Sequence, residues 1–503
     1  MLNETIEKLL VYANAHLGLD EEDNTYTRNI LMDLCNVSEP FFDEMNISAI
    51  RGLKVPDILI QELRSNLLLE NVCDPSNVDR FIVKIMGTLT PRPSEVTAKF
   101  KVLQREKRAK ATDYLYDLQI KNNYIQKSAV DRNLHWVTDF DKNNLEITIN
   151  LSKPEKDNKD IARAKHEDLK DSKYPACVLC KENVGYAGRS DHPARGNLRT
   201  IPLKLDTEAW HLQYSPYVYY NKHCIVFEDV HEPMIISKRT MARLFNFVDI
   251  FPHFFIGSNA DLPIVGGSIL NHEHFQGGEY EFPMMKAENL VEIPVDDEEL
   301  EVHILDWYNS TIHLSGTNKE RIIDAMAKIL NAWKIYENKQ LNIIPATADI
   351  PHSTITPIVK RDGRVYHAYM ILRNNRTDEN YPDGIFHAHP EYHPIKKEGI
   401  GLIEAMGMFI LPARLKRQLG EIANIYKEEL VLGEVLQDHP DLEIFGELFT
   451  FLEEENANEE TVEELITTYV NNVCREILKN TAVFKDDEEG SAAFLQFINE
   501  VKI

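Results

Sequence analysis

A short run of alternating polar residues near the middle of the chain is typical of an extended strand. His272, His274 and Gln276 are separated by single residues, and side chains at that spacing point to one face of a strand. The run follows a glycine-containing segment, 266–270. Two imidazoles and an amide on one face can bind a metal ion or a phosphate group, and a neutral imidazole can attack phosphorus. A strand that carries these histidines by chance is the alternative interpretation.

A CxxC motif, formed by Cys177 and Cys180, lies upstream of this run. Two thiolates on a tight turn can fill two corners of a tetrahedral zinc site. The chain has six cysteines and no second CxxC, so histidines would have to complete a structural zinc site. A redox motif is a second interpretation, although a redox CxxC usually begins a helix after a strand. This motif leads into Gly185 and Gly188, which favours a loop. A chance pair of cysteines is the third interpretation.

The composition indicates a globular protein with no nucleic-acid or membrane partner. Of the 503 residues, 43% are hydrophobic and 27% are charged, as in ordinary globular domains. A formal net charge of −26 opposes nonspecific binding to nucleic acid or anionic lipid. The acidic N-terminus does not resemble a signal peptide, and Glu404 and Pro412 interrupt the best apolar run, 400–415. The few cysteines favour a reducing, cytoplasmic location.

The spacing of the apolar residues predicts an α+β fold, because helical and strand-like periods alternate along the chain. No phosphate-binding glycine loop of the GxxxxGK[ST] or GxGxxG type is present. The predicted segments are a helical N-terminal region (1–140), a first module with the HxHxQ and CxxC motifs (141–335), a second module (336–415) and an acidic helical C-terminal extension (416–503).

Several local elements can also be predicted. Pro93 is expected to begin a helix, and Ser237 is expected to cap one. Residues 145–151 alternate as in a half-buried strand. Residues 218–220 and 224–227 are expected to pair as a hairpin around a turn at 221–223.

Together these motifs resemble one known family. The HxHxQ run, the preceding Gly266-Gly267-Ser268 and the CxxC are similar to galactose-1-phosphate uridylyltransferase, a branch of the histidine-triad superfamily. The resemblance covers most of the chain and is closest to the second, bacterial class, whose features are seen at 145–156, 258–261 and 401–407. The better-known class has His-Pro-His-Gly-Gln at the motif, whereas Glu273 and Phe275 stand here.

The resemblance implies two histidine-triad-like antiparallel sheet/helix modules and a defined reaction. His274, the second histidine, would attack UDP-glucose, release glucose 1-phosphate and form a uridylyl-histidine. Galactose 1-phosphate would then accept the uridylyl group and leave as UDP-galactose. Gln276 would donate its amide to the phosphoryl group. The other nitrogen of His274 needs a fixed acceptor, for which a carbonyl near Gly266 and Gly267 is a candidate. A homodimer is also implied.

The resemblance further implies a structural zinc held by Cys177, Cys180, His272 and His231, with His223 and Cys224 as rivals for the last position. A second metal, iron or zinc, is a further hypothesis, and histidines in loops without a metal are its alternative. The predicted ligands of this second metal are Glu281, His352, His387 and His389.

Substrate contacts are the least specific part of the resemblance. Glu404 is a candidate for contact with a hexose hydroxyl, and either Lys396 or Lys397 for contact with the phosphate of the hexose phosphate. Solvated lysines at the end of a strand are the alternative for two of the nucleotide candidates. The candidates for binding the nucleotide are Asn197, Asn259, Ser268, Lys153 and Lys156.

Two other functions compete with the uridylyltransferase. Another nucleotidyl transferase of the histidine-triad type, or a nucleotide phosphorylase or hydrolase, would share the nucleophile and differ in acceptor. A zinc-stabilised interaction protein without catalysis would need His272 but not His274.

Overall fold

The structure of the protein is a computed structural model that describes residues 1–152, 174–267, 269–428 and 430–503. Lys153, Lys156 and Ser268 therefore lie outside the described residues. The chain forms two units, one of residues 1–132, 154–232 and 272–274, the other of residues 133–153, 233–271 and 275–503. This grouping cuts across the four predicted segments, which stay a prediction.

The described residues are a mixture of helices and mainly antiparallel strands, which agrees with the predicted α+β class. No helix among them has the length and apolar character needed to cross a membrane. The helices are α1 (Leu2–His16), α2 (Asn24–Leu34), α3 (Ile47–Arg51), α4 (Asp57–Leu69), α5 (Val78–Leu89), α6 (Pro93–Glu106), α7 (Arg108–Lys121), α8 (Lys127–Val130), α9 (Lys238–Ile250), α10 (Lys319–Trp333), α11 (Leu402–Ala405), α12 (Arg414–Lys427), α13 (Leu432–Asp438), α14 (Gly446–Glu454), α15 (Val462–Thr481) and α16 (Glu488–Glu500). The strands are β1 (Leu134–Val137), β2 (Glu146–Asn150), β3 (Ile201–Leu205), β4 (Glu208–Tyr214), β5 (Cys224–Glu228), β6 (Phe255–Gly257), β7 (His274–Gly278), β8 (Asn289–Glu292), β9 (Leu300–Leu305), β10 (Thr311–Gly316), β11 (Ala346–Thr347), β12 (Ile350–Pro351), β13 (Ser353–Asp362), β14 (Val365–Asn374) and β15 (Met408–Pro412).

The first unit contains α1–α8 and the antiparallel strands β3, β4 and β5. Pro93 begins α6 as predicted, and the backbone N–H of Arg92 donates to the Glu95 carboxylate at 2.7 Å. The predicted hairpin is wrong, because β5 pairs with β4 over Tyr214↔Cys224 to Trp210↔Glu228. Residues 218–220 lie in the connection, where Val218 has a positive φ of 40° that strand geometry does not allow.

The second unit holds a sheet with the strand order β7-β6-β13-β14-β10-β9-β8, in which neighbouring strands are antiparallel. Helices α9 and α10 pack against each other and against this sheet. The indole N–H of Trp333, the last residue of α10, donates to the backbone carbonyls of Thr354 and Arg373 at 2.9 and 3.0 Å. Ser237 precedes α9, as predicted, and its backbone N–H donates to Thr240 Oγ1 at 3.1 Å.

A separate three-stranded sheet in the second unit contains the strand predicted at 145–151. This strand is β2, and β1 and β15 flank it on its two edges. Every residue of β2 is buried, so the prediction of a strand is confirmed and the prediction of half-burial is wrong. The alternation is misleading because Glu146 and Thr148 are polar residues that are nevertheless buried.

A close contact in the first unit joins the end of α5 to the loop that precedes β3. A Cβ atom on Gly87 would lie 2.5 Å from the carbonyl oxygen of Gly196. The buried guanidinium of Arg199 donates to the carbonyls of Gly87, Thr90, Pro91, Gly196 and Leu198. Arg199 thus joins the loop to the helix, because its guanidinium bonds to backbone oxygens of both.

We predict that Gly87→Ala lowers the free energy of unfolding by about 1–3 kcal/mol, since overpacking moves backbone that Arg199 holds in place. Gly420→Ala is the matched control, because a Cβ there meets no atom within 4 Å, and alanine in the middle of α12 should stabilise it by about 0.5–1 kcal/mol. Denaturant unfolding would measure both changes. Equal stability of the two variants would contradict the prediction.

Candidate functional site

Two cysteines and two histidines of the first unit converge on one point. The Cys177 and Cys180 sulfurs are 3.5 Å apart, Cys177 Sγ is 3.2 Å from His272 Nδ1, and Cys180 Sγ is 3.1 Å from His231 Nδ1. The four ligand atoms lie within 4.8 Å of one another. A tetrahedral ion with bonds of about 2.0–2.3 Å separates its ligands by about 3.5 Å, so this Cys/His cluster could bind a metal ion.

The loop that carries the two cysteines is held by Asn183. The Asn183 amide donates to the carbonyls of Cys177 and Cys180, both at 2.8 Å, and its Oδ1 lies 2.7 Å from His192 Nε2. The same carbonyls also accept backbone N–H groups, that of Cys177 from Cys180 at 3.3 Å and that of Cys180 from Asn183 at 3.0 Å, so the polar backbone of the turn is well satisfied. Asn183 therefore fixes the orientation of the turn.

Asp229 connects the cysteine loop to the segment that carries His231. Its carboxylate accepts from Lys181 Nζ at 2.7 Å and lies 2.7 Å from His211 Nε2. These hydrogen bonds, led by that of Lys181, hold the pKa of Asp229 below its ordinary value. Lys181 follows Cys180 directly and Asp229 lies two residues before His231, so this ion pair joins the two segments that carry these candidate ligands.

His272 is oriented by the backbone. Its Nε2 lies 2.8 Å from the carbonyl oxygen of Glu228, which can only accept, so the hydrogen is on Nε2 and the lone pair of Nδ1 faces the sulfurs. Burial lowers the pKa of His272. The rivals for the fourth position are elsewhere. His223 is buried with its ring 4.5 Å from that of Tyr220, and Cys224 is buried in β5.

His274, also in the first unit, is oriented by its neighbour in the motif. Its Nδ1 lies 2.8 Å from the carbonyl oxygen of His272, so Nδ1 carries the hydrogen and Nε2 keeps its lone pair. Burial lowers the pKa of His274 to about 4, so the ring is neutral at neutral pH. The predicted acceptor near Gly266 and Gly267 is wrong, because the acceptor is two residues away in the same chain segment.

The second unit contains Gln276 and Asn259. Gln276 lies in β7 opposite Gly257 of β6 and is half-buried. Asn259 is buried, and its Oδ1 accepts the backbone N–H of Leu402 at 2.9 Å. A Cβ on Gly267 would lie 2.5 Å from Asn259 Nδ2. Gly267 thus permits the approach of the Asn259 amide, which is the role of one glycine in the run before the motif.

The structure places Asn197 in a structural contact. Its amide donates to the carbonyl of Asn122 at 3.0 Å, and the Asn122 amide donates to the carbonyl of Asn197 at 2.7 Å. Both side chains are buried. This reciprocal pair ties the loop before β3 to the end of α7, and the side chain that was predicted to contact nucleotide is engaged within the protein.

Lys396 and Glu404 form a buried ion pair in the second unit. Lys396 Nζ donates to Glu404 Oε1 at 3.0 Å and to the carbonyl of Ile410 at 2.9 Å. The side chains are 6% and 12% exposed. The pairing explains how a carboxylate is tolerated in an apolar segment. It also engages the ammonium of Lys396, whereas Lys397 is exposed.

The four residues predicted for a second metal are not brought together. Among the described residues, the Cys177–Cys180–His231–His272 cluster is the one group of candidate ligands. Each of the four has its own partner in the second unit: Glu281 pairs with Lys360 at 2.7 Å, His352 bonds to Asn375 and Thr347, His387 Nε2 accepts from the Ile400 N–H, and His389 bonds to the Ile385 carbonyl.

Sequence reasoning missed Arg373 in β14. Its guanidinium is fully buried and donates from Nη2 to the carbonyl of Ile400 at 2.6 Å. A signal existed, because the arginine directly follows the apolar run Met370-Ile371-Leu372 and a charge in such a strand rarely lacks a specific role.

We predict that Cys177→Ser lowers both the metal content and the melting temperature, because a ligand set of three binds more weakly and metal binding adds to folding stability. A loss of about 3 kcal/mol would lower the melting temperature of a 150–250-residue domain by about 6–12 °C. Elemental analysis and thermal unfolding measure the two effects. Cys73→Ser is the control, since Cys73 is outside the cluster and should keep full metal. A full metal equivalent in Cys177→Ser would contradict the prediction.

Comparison with known proteins identifies the family. A family model described as galactose-1-phosphate uridyl transferase, N-terminal domain, matches residues 34–233, and the model of the C-terminal domain matches residues 247–439. Among solved structures, yeast Ap4A phosphorylase Apa2 aligns with 60% of this chain and 89% of its own, at a TM-score of 0.30 and 9% identity. That similarity is too low to support an argument.

Full-length relatives are much more similar. A galactose-1-phosphate uridylyltransferase of Clostridium acetobutylicum is 43% identical over 99% of this chain and 100% of its own length. A galactose-1-phosphate uridylyltransferase of Bacillus subtilis is 40% identical over 99% of this chain and 97% of its own. The two family models and these relatives show that the chain belongs to the galactose-1-phosphate uridylyltransferase family.

Proposed function

We propose that this protein is a nucleotidyltransferase that exchanges a uridylyl group between UDP-glucose and galactose 1-phosphate through a covalent intermediate on His274. The observation that carries the proposal is the tautomer of His274. Its Nδ1 hydrogen is engaged by the His272 carbonyl, and the ring is neutral at physiological pH because burial lowers its pKa. The nucleophilic Nε2 lone pair is thereby available without a general base.

The reaction has two balanced steps. In the first, His274 Nε2 forms a bond to the α-phosphorus of UDP-glucose, and the bond from that phosphorus to the glucose 1-phosphate oxygen breaks. In the second, a phosphate oxygen of galactose 1-phosphate attacks the same phosphorus, the P–N bond breaks, and UDP-galactose leaves. His274 returns to its starting state, so the exchange needs no other reactant.

Gln276 is proposed to stabilise charge on the phosphoryl group. It lies two residues after His274 in β7, and residues two apart in a strand share a face. An amide donor placed at a phosphoryl oxygen acts where negative charge grows in the transition state. Asn259 and Ser268 are proposed nucleotide contacts, and Lys153, Lys156 and Asn197 stay weaker predictions.

The metal of the Cys177–Cys180–His231–His272 cluster is proposed to be zinc. Two thiolates and two imidazoles in a closed tetrahedral set are typical of structural zinc. The ion would hold His272, whose carbonyl orients His274, and would take no part in the bond changes. The hypothesis of a second metal is not carried further, because its four predicted ligands have separate partners.

The histidine-triad description of the fold is likewise a proposal. The order of elements along the chain repeats, with β3-β4-β5-α9-β6-β7 followed by β8-β9-β10-α10-β13-β14. Each series has three strands, a helix and two strands, apart from the short β11 and β12. This repeat supports the proposal that the two series are related modules of the histidine-triad type. The homodimer and the cytoplasmic location stay predictions.

We predict that wild-type protein incubated with UDP-glucose labelled in the uridine keeps the label on the chain. His274→Gly should reduce labelling and turnover by about a thousandfold or more, because the nucleophile is removed. Its metal content and melting temperature should stay near those of wild type, as the ligands are untouched. His135→Asn, an exposed strand residue, is the control. Substantial exchange by His274→Gly would sink the assignment of the nucleophile, and exchange by wild type without covalent label would argue for direct transfer.

We predict that Gln276→Ala slows formation of the uridylyl-enzyme by about 100-fold, the usual effect of losing one such donor. The rate of labelling in a single turnover should fall, whereas the final extent of labelling should be retained, because His274 is still present. Gln126→Ala, at an exposed site, is the control. An unchanged rate of labelling would show that the Gln276 amide does not act in the transition state.

A further inference from the structure

The guanidinium of Arg373 is a buried cation whose hydrogen bonds are incomplete. Nη2 donates to the carbonyl of Ile400 at 2.6 Å, but Nε and Nη1 have no hydrogen-bond partner among the described residues. The negative charge of Glu404 acts on Arg373, but that carboxylate is already paired with Lys396. Burial of an incompletely paired charge is costly, so this arginine is not explained by stability.

Arg373 and His387 bind the two backbone polar groups of Ile400. The N–H of Ile400 donates to His387 Nε2 at 3.2 Å, and its carbonyl accepts from Arg373. Because His387 accepts at Nε2, its hydrogen is on Nδ1, which is buried and without a partner among the described residues. Two side chains from β14 and from the loop after it therefore fix both backbone groups of Ile400.

Ile400 is the first residue of a stretch that we call the 400–404 segment. Its Leu402 N–H is bound by Asn259 Oδ1 at 2.9 Å. A Cβ on Gly401 would lie 3.0 Å from Asn259 Oδ1 and 3.7 Å from Glu404 Oε2, so the Asn259 amide and the Glu404 carboxylate lie on the same side of the segment. A movement of Ile400 would shift both contacts.

The charges around the segment favour an anion. Of the buried side chains, Arg373 and Lys396 are positive and Glu404 is negative, so they carry one net positive charge, and the exposed Glu398 lies beside Lys396 at the surface. Lys396 lies near two carboxylates, those of Glu404 at 3.0 Å and Glu398 at 3.9 Å, whereas Arg373 forms no ion pair among the described residues and feels the Glu404 charge only from a distance. A phosphate-bearing ligand beside the segment would offset the charge of Arg373, whereas a neutral sugar would not.

We propose that Arg373 is a positioning residue for the hexose 1-phosphate, because it holds Ile400 and thereby the 400–404 segment in the conformation that receives the sugar phosphate. The proposal rests on the proposed function and deepens it. Arg373 itself does not contact the reacting atoms. His387 acts with it on the other backbone group of Ile400.

The test compares Arg373→Met, Arg373→Lys and His387→Ala with a matched control. Arg361→Met is that control, because Arg361 pairs with Asp249 and bonds to nothing in the 400–404 segment. Methionine replaces a buried charge by an apolar side chain of similar volume, which is often neutral or stabilising, so Arg373→Met should fold. The lysine variant keeps the charge and loses the planar donor geometry.

Three readouts separate positioning from general damage. The first is the KM for galactose 1-phosphate, which should rise about tenfold or more in Arg373→Met and His387→Ala and less in Arg373→Lys. The second is labelling of His274 by uridine 5′-phosphorimidazolide, a uridylyl donor without a hexose, which should be unchanged. The third is hydrogen exchange of the 400–404 segment. It should become faster in Arg373→Met and His387→Ala and should not change in Arg361→Met.

The outcomes distinguish this proposal from the proposed function. Wild-type protein that is never labelled by the imidazolide or by UDP-glucose would overturn the proposed function itself. Labelled wild type, together with an unchanged KM for galactose 1-phosphate or unchanged exchange of the segment in Arg373→Met, would overturn the role of Arg373. A parallel fall in imidazolide labelling and in galactose 1-phosphate use would also overturn it, since the effect would not be specific for the hexose.

Discussion

The hydrogen bond from His274 Nδ1 to the carbonyl of His272 is the interaction on which the site depends. It sets the tautomer of His274, the proposed nucleophile, and its acceptor belongs to His272, one of the four residues of the Cys/His cluster. A bond between residues two apart has little freedom, so the direction of the His274 lone pair follows from the position of His272. In the proposed function, metal binding at the cluster and the reaction of His274 are therefore linked through His272 alone.

The contacts around the cluster extend that dependence into the first unit. Asn183 satisfies the carbonyls of the cysteine turn, Asp229 ties Lys181 to His211, and the Glu228 carbonyl orients His272. These partners do not touch the expected ion, yet they determine where its ligands lie, as the outer contacts of metal sites usually do. The four candidate ligands come from three separate parts of the chain. Without these contacts, metal binding would have to order their side chains and would lose that conformational entropy.

The parts of the structure that follow from local pattern were predictable from the sequence. The helix starts at Pro93 and Ser237 agree with the structure, and His231 lies in the Cys/His cluster whereas its rivals do not. The strand prediction for the HxHxQ run holds from His274 onward, because β7 spans His274–Gly278 and His272 lies in the bend before it. The CxxC turn and the strand motif are short-range features whose geometry depends on a few neighbouring residues. Periodicity cannot choose between partners distant in sequence, so the hairpin at 218–227 was assigned to the wrong strand.

The individual roles of polar side chains were the least predictable. Lys396 and Asn197 look like free donors in the sequence, but each is engaged with a partner 8 or 75 residues away. The acceptor of His274 cannot be predicted from the sequence, because the bond is to the backbone carbonyl of His272 and any residue type at 272 would offer that group. The burial of Arg373 is equally hard to predict, because the apolar residues before it in β14 fix the strand but not the surroundings of a charged residue near its end.

The Lys396–Glu404 pair has a consequence for how this chain can change over generations. Loss of either partner removes the close partner of a buried charge, which typically costs about 3–5 kcal/mol and is comparable to much of the stability of a domain. Replacing both by apolar residues avoids that penalty, but the first of the two substitutions must be survived. Positions 396 and 404 should therefore vary together in an alignment of relatives or be constant together, which makes them a recognisable covarying pair.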